Sequence, residues 1–224
     1  VIFSNEPIIN IRGPIYQCQL VESAIINMFN FNTLIATKAS RMSLSSKGDT
    51  ILEFGLRRAQ GIDGSLSASR ASYIGGTSKT SNVLAGKLFD IPVSGTHSHS
   101  WVLAFDSELE SFKKYAEVMP NNCILLVDTF NTMDGLDNAI LVAKELEKIN
   151  KKLLGVRIDS GDLAYLSKKA RAKLDKNGLE YVKIVASNDL DEFLIKSLKN
   201  QKSKISVWGI GTKLVTAYDN PSLG

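Results

Sequence analysis

The chain is poor in the residues that staple, coordinate or anchor. It has two cysteines and two histidines in 224 residues. Cys18 and Cys123 lie far apart and form no metal-ligand spacing. Cys123 opens an apolar run, which suits a buried thiol in a reducing compartment, so a cytoplasmic location is expected and a disulfide-stapled module is excluded. His97 and His99 are two apart, but no third histidine or cysteine completes a zinc set, and no protein-ligated metal site is expected. No run is long and apolar enough to span a bilayer and no signal peptide is visible, so no membrane role is expected. The net charge of +4 is small, and lysines such as Lys168, Lys169 and Lys173 are scattered on helix faces, which argues against nucleic acid as a partner. An early GxGxxG with a downstream acid is missing, which weakens a dinucleotide-binding reading. The first residue is not Met, and the chain opens and closes in mid-pattern, as a fragment of a longer polypeptide would.

What is present is organised around residues 153–163, LLGVRIDSGDL. The run Leu153, Leu154, Val156, Ile158 reads as a buried strand, and it ends in the polar cluster Arg157, Asp159, Ser160, Gly161, Asp162. A helical pattern follows at once. Arg157 and Asp159 are two apart, so on a strand both project from one face, a cation beside an anion. A salt bridge that merely closes a loop is the plain alternative.

The same unit recurs along the chain. Strands are expected at residues 8–11, 51–55, 124–127, 153–158, 182–186 and 205–208, and helices at 16–36, 65–73, 82–88, 108–119, 135–149, 163–174 and 190–198. Thr37 to Arg41 fits a solvated helix end better than a phosphate contact. A βα repeat of roughly 25 to 30 residues implies a parallel sheet with right-handed crossovers. Each strand runs into polar or glycine residues, and in a (β/α) barrel those ends share one mouth. An open doubly wound sheet is the rival fold.

Convergence would bring together Phe54 and Arg57, His99, Asp128, Arg157 and Asp159, Asn188 and Asp189, and the segment Gly209, Ile210, Gly211, Thr212. The glycines and the hydroxyl of that last segment suit a phosphate cradle. Asp159 can accept hydrogen bonds from ribose hydroxyls, and Asp128 can orient an imidazole at His99. Phe54, Arg57 and Arg157 suit a flat, anionic aromatic ligand. Each piece alone also reads as core or surface: a core Phe, surface arginines, a loop histidine pair.

Taken together and in order, FGLRRAQGIDG (54–64), SNVLAG (81–86), GTHSHSWV (95–102), VDTFNT (127–132), RIDSGDL (157–163), SND (187–189) and GIGT (209–212) closely resemble the nicotinate phosphoribosyltransferases. The resemblance implies an incomplete, irregular (β/α) barrel of the type II phosphoribosyltransferase kind, with residues 1–44 from an N-terminal domain and 45–224 as the partial barrel carrying the active site. It implies transfer of phosphoribosyl from phosphoribosyl pyrophosphate to nicotinate, coupled to ATP, giving nicotinate mononucleotide in NAD salvage. It implies Mg²⁺ with the pyrophosphate or ATP, ATP as co-substrate, and a homodimer of the full-length form. By position, His99 matches the phosphorylated histidine and Asp128 the carboxylate that holds it. Thr96 and Arg157 match nicotinate contacts, Phe54 and Arg57 the stacking ring and nearby guanidinium, Asp159 the ribose acid, and Asn188 with Gly209, Gly211 and Thr212 the ribose-phosphate end. His97 matches no family role. The alternatives are a nicotinamide-specific relative and a non-catalytic barrel fragment that binds only a ligand or a partner.

Overall fold

The structure, a computed structural model, describes residues 5–219 and Ser222. Among these residues the chain alternates strand and helix. The strands are β1 (Thr50–Glu53), β2 (Lys79–Thr80), β3 (Ile124–Leu126), β4 (Gly155–Ile158), β5 (Lys183–Ala186) and β6 (Val207–Ile210). The helices are α1 (Ile15–Ser46), α2 (Ile62–Ile74), α3 (Val83–Phe89), α4 (His99–Val102), α5 (Glu108–Val118), α6 (Thr132–Lys148), α7 (Leu163–Lys176), α8 (Glu192–Asn200) and α9 (Thr212–Val215). All strand pairings are parallel, in the order β2-β1-β6-β5-β4-β3. The first and last long strands therefore lie side by side, and the sheet curls into an incomplete barrel. Its opening lies between β3 and β2, where Val93 adds a single bridge to Thr80.

Local chemistry starts the helices where the strands end. Asn82, Ser107, Asn131, Asp162 and Asp191 each accept a hydrogen bond from a backbone N–H of the helix that follows. Such caps are worth about 1 kcal/mol each, and those at Asn82, Asn131, Asp162 and Asp191 fix the exits of β2, β3, β4 and β5. Gly178, at φ 72°, supplies the left-handed stop just after α7.

The period-two alternation of the strands divides the core. Ile51, Val156, Ile184 and Trp208 face the helices in the main cluster, while Leu52, Ile124, Val185 and Val207 form a small inner layer. Two residues beyond Leu52, Val185 and Val207 come Phe54, Ser187 and Gly209, and Arg157 stands two beyond Gly155, the β4 partner of Ile124. The inner face is thus apolar at its middle and polar at its carboxyl end. That change of character positions the site.

Three expectations are corrected. Residues 8–11 form no strand: Ile8, Ile9 and Ile11 are exposed, Pro7 and Pro14 flank them, and they pair with no strand of the sheet. Helix α1 does not end near residue 36 but runs to Ser46. Thr37 to Arg41 are consequently mid-helix, and Lys38 is buried rather than solvated. Its ammonium sits 2.9 Å from Glu192 on α8 and 2.7 Å from Asp219. Burial works to lower the Lys38 pKa, but these two carboxylates outweigh it and hold the pKa above the ordinary lysine value. Lys38→Met leaves the buried Glu192 without its cation. The variant is expected to lose about 3–5 kcal/mol of stability, read as a fall in the urea midpoint at unchanged slope.

Candidate active site

Arg157 is the centre of the carboxyl-end layer. Its Nε donates to Ser187 Oγ (2.7 Å), Nη1 to Thr96 Oγ1 (2.8 Å) and Nη2 to Asp159 Oδ1 (3.0 Å). The Phe54 ring lies below, with its centroid 5.5 Å from the guanidinium carbon. Ser187 also donates to Asp159 Oδ1. Burial opposes the charge on Asp159, but Arg157, the Ser187 hydroxyl and His99 outweigh it and hold the carboxyl below the usual carboxylate range. The strand spacing that put Arg157 and Asp159 on one face therefore gives a real ion pair.

Phe54 keeps its place because Gly209 has no side chain. A Cβ there would sit 2.8 Å from the ring. The corner that carries Phe54 is tied from behind by Glu53, which is fully buried and pairs with no cation among the described residues. Its carboxylate accepts from Ser69 Oγ (2.8 Å), Thr80 Oγ1 and the Gly55 N–H.

His99 opens α4, and its side chain is 40% exposed, so it is reachable from solvent. Its Nδ1 lies 3.1 Å from Thr129 Oγ1, and its Nε2 lies 3.5 Å from Asp159 Oδ2 and 3.9 Å from Asp128 Oδ1. The separation from Asp128 exceeds a hydrogen bond. Asp128 instead accepts from the Asp159 N–H (2.7 Å) and from Ser160 Oγ (2.6 Å) through Oδ2, while its buried Oδ1 has no hydrogen-bond partner. So Asp128 fixes the 159–160 turn and turns one free oxygen toward the imidazole.

Two cavities share Phe54, Arg57 and Arg157. One, of about 150 Å³, is lined also by Asp159, Asn188, Gly209, Gly211 and Thr212, and the other, of about 260 Å³, by Gly95, Thr96, His97 and Ser98. Arg57 is exposed and makes no ion pair among the described residues. Asn188 and Asp189 take φ of 89° and 43°, left-handed values that asparagine and aspartate tolerate best, and the turn aims them at the smaller cavity. His99 and Asp128 line neither cavity; Asp159 joins them to it. A larger cavity of about 570 Å³ lies between residues 8–15 and the first turns of α1, away from every strand end. Another of about 510 Å³ opens at the opposite, amino end of the barrel, beside Lys79, Lys152 and Lys183. The chemistry-bearing side chains are at neither.

Every residue assigned to the site from the sequence lies at this one end of the sheet. The sequence reading missed four that hold the others. These are Ser187 between Arg157 and Asp159, Thr129 on His99, Glu53 behind Phe54, and His97. His97 is buried, and its Nε2 accepts the Leu126 N–H at 3.1 Å. Burial, with the charges of Arg157 and His99, pushes its pKa down to about 4 against the hydrogen bond to the Ser98 carbonyl. The folded chain therefore binds fewer protons here than the unfolded chain between about pH 6.5 and 4. This contribution is intact above pH 6.5 and is lost as pH falls, by up to about 3 kcal/mol in all. Acid denaturation followed by tryptophan fluorescence is expected to begin in that window, and His97→Leu to remove that part of the slope.

Mg²⁺ takes hard oxygen ligands, commonly one or two carboxylates with substrate phosphates. The unpartnered Asp128 Oδ1 and the adjacent Asp159 fit that pattern. Among the described residues no group of three or more acidic, histidine or cysteine side chains forms an all-protein cage.

Comparison with known proteins agrees with this geometry. The family model described as "Nicotinate phosphoribosyltransferase (NAPRTase) family" matches residues 50–223. A nicotinate phosphoribosyltransferase of Bacillus subtilis is 53% identical over 226 residues, covering 100% of this chain and 46% of the relative. The crystal structure of human nicotinic acid phosphoribosyltransferase superposes with a TM-score of 0.77 at 32% identity, over 89% of this chain and 51% of that one. A nicotinate-nucleotide pyrophosphorylase from Pyrococcus furiosus superposes with a TM-score of 0.74 at 28% identity, over 87% and 49%. The chain spans about half the length of the relatives it matches. On the family match and the identity together, the chain belongs to the nicotinate phosphoribosyltransferase family.

Proposed function

We propose that the polypeptide transfers phosphoribosyl from phosphoribosyl pyrophosphate to nicotinate, giving nicotinate mononucleotide and pyrophosphate, with ATP cleavage coupled through His99. The observation that carries this reading is the Arg157 cluster. A guanidinium held by Thr96, Ser187 and Asp159 lies over an aromatic ring, between two cavities at the carboxyl ends of parallel strands.

In this reading the larger cavity takes the pyridine ring beside Phe54, and Arg57 and Thr96 meet its carboxylate. The smaller takes the phosphoribosyl group, with Asp159 on the ribose hydroxyls and Asn188, Gly209, Gly211 and Thr212 at the 5′-phosphate. The bond from the ribose carbon to pyrophosphate breaks, the carbon becomes oxocarbenium-like, and the pyridine nitrogen attacks it. That nitrogen carries no proton to remove, so the protein contributes alignment and fixed charge. The ionised Asp159 lies where positive charge grows. Asp128 and Asp159 would hold Mg²⁺, which when bound would neutralise charge on the departing pyrophosphate.

His99 takes the terminal phosphoryl group of ATP on an imidazole nitrogen as ADP leaves, and release of that phosphate to water couples ATP cleavage to transfer. Its exposure and the two carboxylates beside it support this role. A homodimer of the full polypeptide belongs to the same reading, and the exposed Ile15, Tyr16, Leu20 and Ile26 on α1 support it. So does the division near residue 45, since α1 ends at Ser46 and the family match starts at residue 50. Free thiols at Cys18 and Cys123 support a cytoplasmic location.

The test is pyrophosphate release by the full polypeptide with nicotinate or nicotinamide, each with and without ATP. ATP-stimulated release with nicotinate alone supports the reading. Equal or greater release with nicotinamide favours the amide-specific alternative, and none with either favours a binding fragment.

A further inference from the structure

His97 takes no part in the chemistry above, yet it is among the most constrained side chains in the molecule. It lies where the barrel is open. Strand β3 pairs only with β4, so the Val127 N–H donates to Arg157 O while the Leu126 N–H points away from β4, into the gap. A buried backbone donor left unpaired there would destabilise the fold. His97 Nε2 accepts it at 3.1 Å. Its Nδ1 faces the Ser98 carbonyl at 3.3 Å, which requires a proton on Nδ1 and a bare Nε2. The ring is clamped by Tyr115, with centroids 4.8 Å apart, and by Phe112 at 5.7 Å. The charged or titratable groups around it are Arg157 from β4, His99 from α4, and Tyr115 from α5.

The neighbours of the two bonded residues give the contact its meaning. Thr96 precedes His97 on the loop, and His99 lies two residues after it at the start of α4. Thr96 donates to the His97 carbonyl at 3.1 Å and accepts from Arg157. Two and three residues beyond Leu126 come Asp128 and Thr129, which face His99. One imidazole thus joins the segment bearing His99 to the strand bearing its partners, with no continuous sheet between them.

We propose that His97, as the neutral Nδ1–H tautomer, is a positioning residue that takes the place of a strand at the barrel opening and sets the spacing of His99 from Asp128, Thr129 and Asp159. The catalytic consequence rests on the transferase reading; the tautomer and the bond to Leu126 do not. A 1 Å displacement at such a site can cost about 100-fold in rate.

The experiment pairs a spectroscopic and a kinetic readout in the full polypeptide. Nitrogen NMR of ¹⁵N-labelled protein at pH 7 is expected to show His97 with protonated Nδ1, bare Nε2 and a scalar coupling from Nε2 to the Leu126 amide nitrogen. A protonated Nε2 or no coupling overturns the proposal, whether or not the enzyme is active. His97→Leu keeps an apolar plug but removes the acceptor, and is expected to lower ATP-stimulated turnover about tenfold or more. His97→Gln restores an acceptor at similar reach and is expected to stay within about threefold of the parent. Equal loss in both variants, or none in either, overturns the proposal. If His97→Leu fails to fold, the coupling and the glutamine variant still decide. An inactive parent protein would instead count against the transferase reading.

Discussion

Arg157→Ala is expected to lower kcat/KM for nicotinate by about 100-fold or more, the largest effect of any single substitution at this site. The guanidinium makes three hydrogen bonds and covers Phe54, so its loss removes the ceiling of one cavity and the wall of the other. It also leaves Asp159 with less compensation for its burial. An uncompensated carboxylate in a part-buried site loses its low pKa, so the activity of the variant should fall at a higher pH than that of the parent as acid is added. Arg157→Lys keeps a charge but not the fork, and cannot meet Thr96, Ser187 and Asp159 together. It is expected to recover no more than about tenfold of the loss. Steady-state kinetics from pH 5 to 8, with thermal melts of both variants, separates site loss from unfolding. A lysine variant equal to the parent would mean that charge alone matters here.

His99→Ala is expected to abolish ATP stimulation while slow, ATP-independent transfer persists. The imidazole touches neither cavity directly; it reaches them through Asp159 at 3.5 Å. Removing it should therefore spare binding in both cavities and the attack of the pyridine, and eliminate only the coupled step. Incubation with terminally labelled ATP should leave acid-labile phosphate on the parent protein and none on the variant. Unchanged ATP coupling in the variant would reject the phosphohistidine role. Thr129→Val, which deletes the hydroxyl on Nδ1, offers a milder probe of the same step.

The βα frame was legible because β3 to β6 are short apolar runs and Asn82, Asn131, Asp162 and Asp191 cap α3, α6, α7 and α8. Convergence was legible from the two-residue period, which predicts the Arg157–Asp159 pair outright. Other parts depend on tertiary context that local pattern does not carry. Strand β2 is the dipeptide Lys79-Thr80, too short and polar to signal itself, and it exists because β1 offers an edge. Residues 8–11 have the composition of a strand and lack a partner. Lys38 reads as a surface cation until Glu192, far along the chain, closes over it. The hydroxyls of Ser187 and Thr129 carry no distinguishing signal, since serine and threonine fill most loops. His97 has the composition of a surface loop residue, and only the gap between β3 and β2 gives its nitrogen a task.

The most direct measurement is a crystal structure of the full polypeptide with nicotinate mononucleotide. The pyridine ring is expected beside Phe54, Arg57 and Thr96 and the phosphate against Gly211 and Thr212, on either side of Arg157. Density for the nucleotide in the cavity at the amino ends of the strands, or in the apolar cavity along α1, with the Arg157 cluster unchanged, would contradict it.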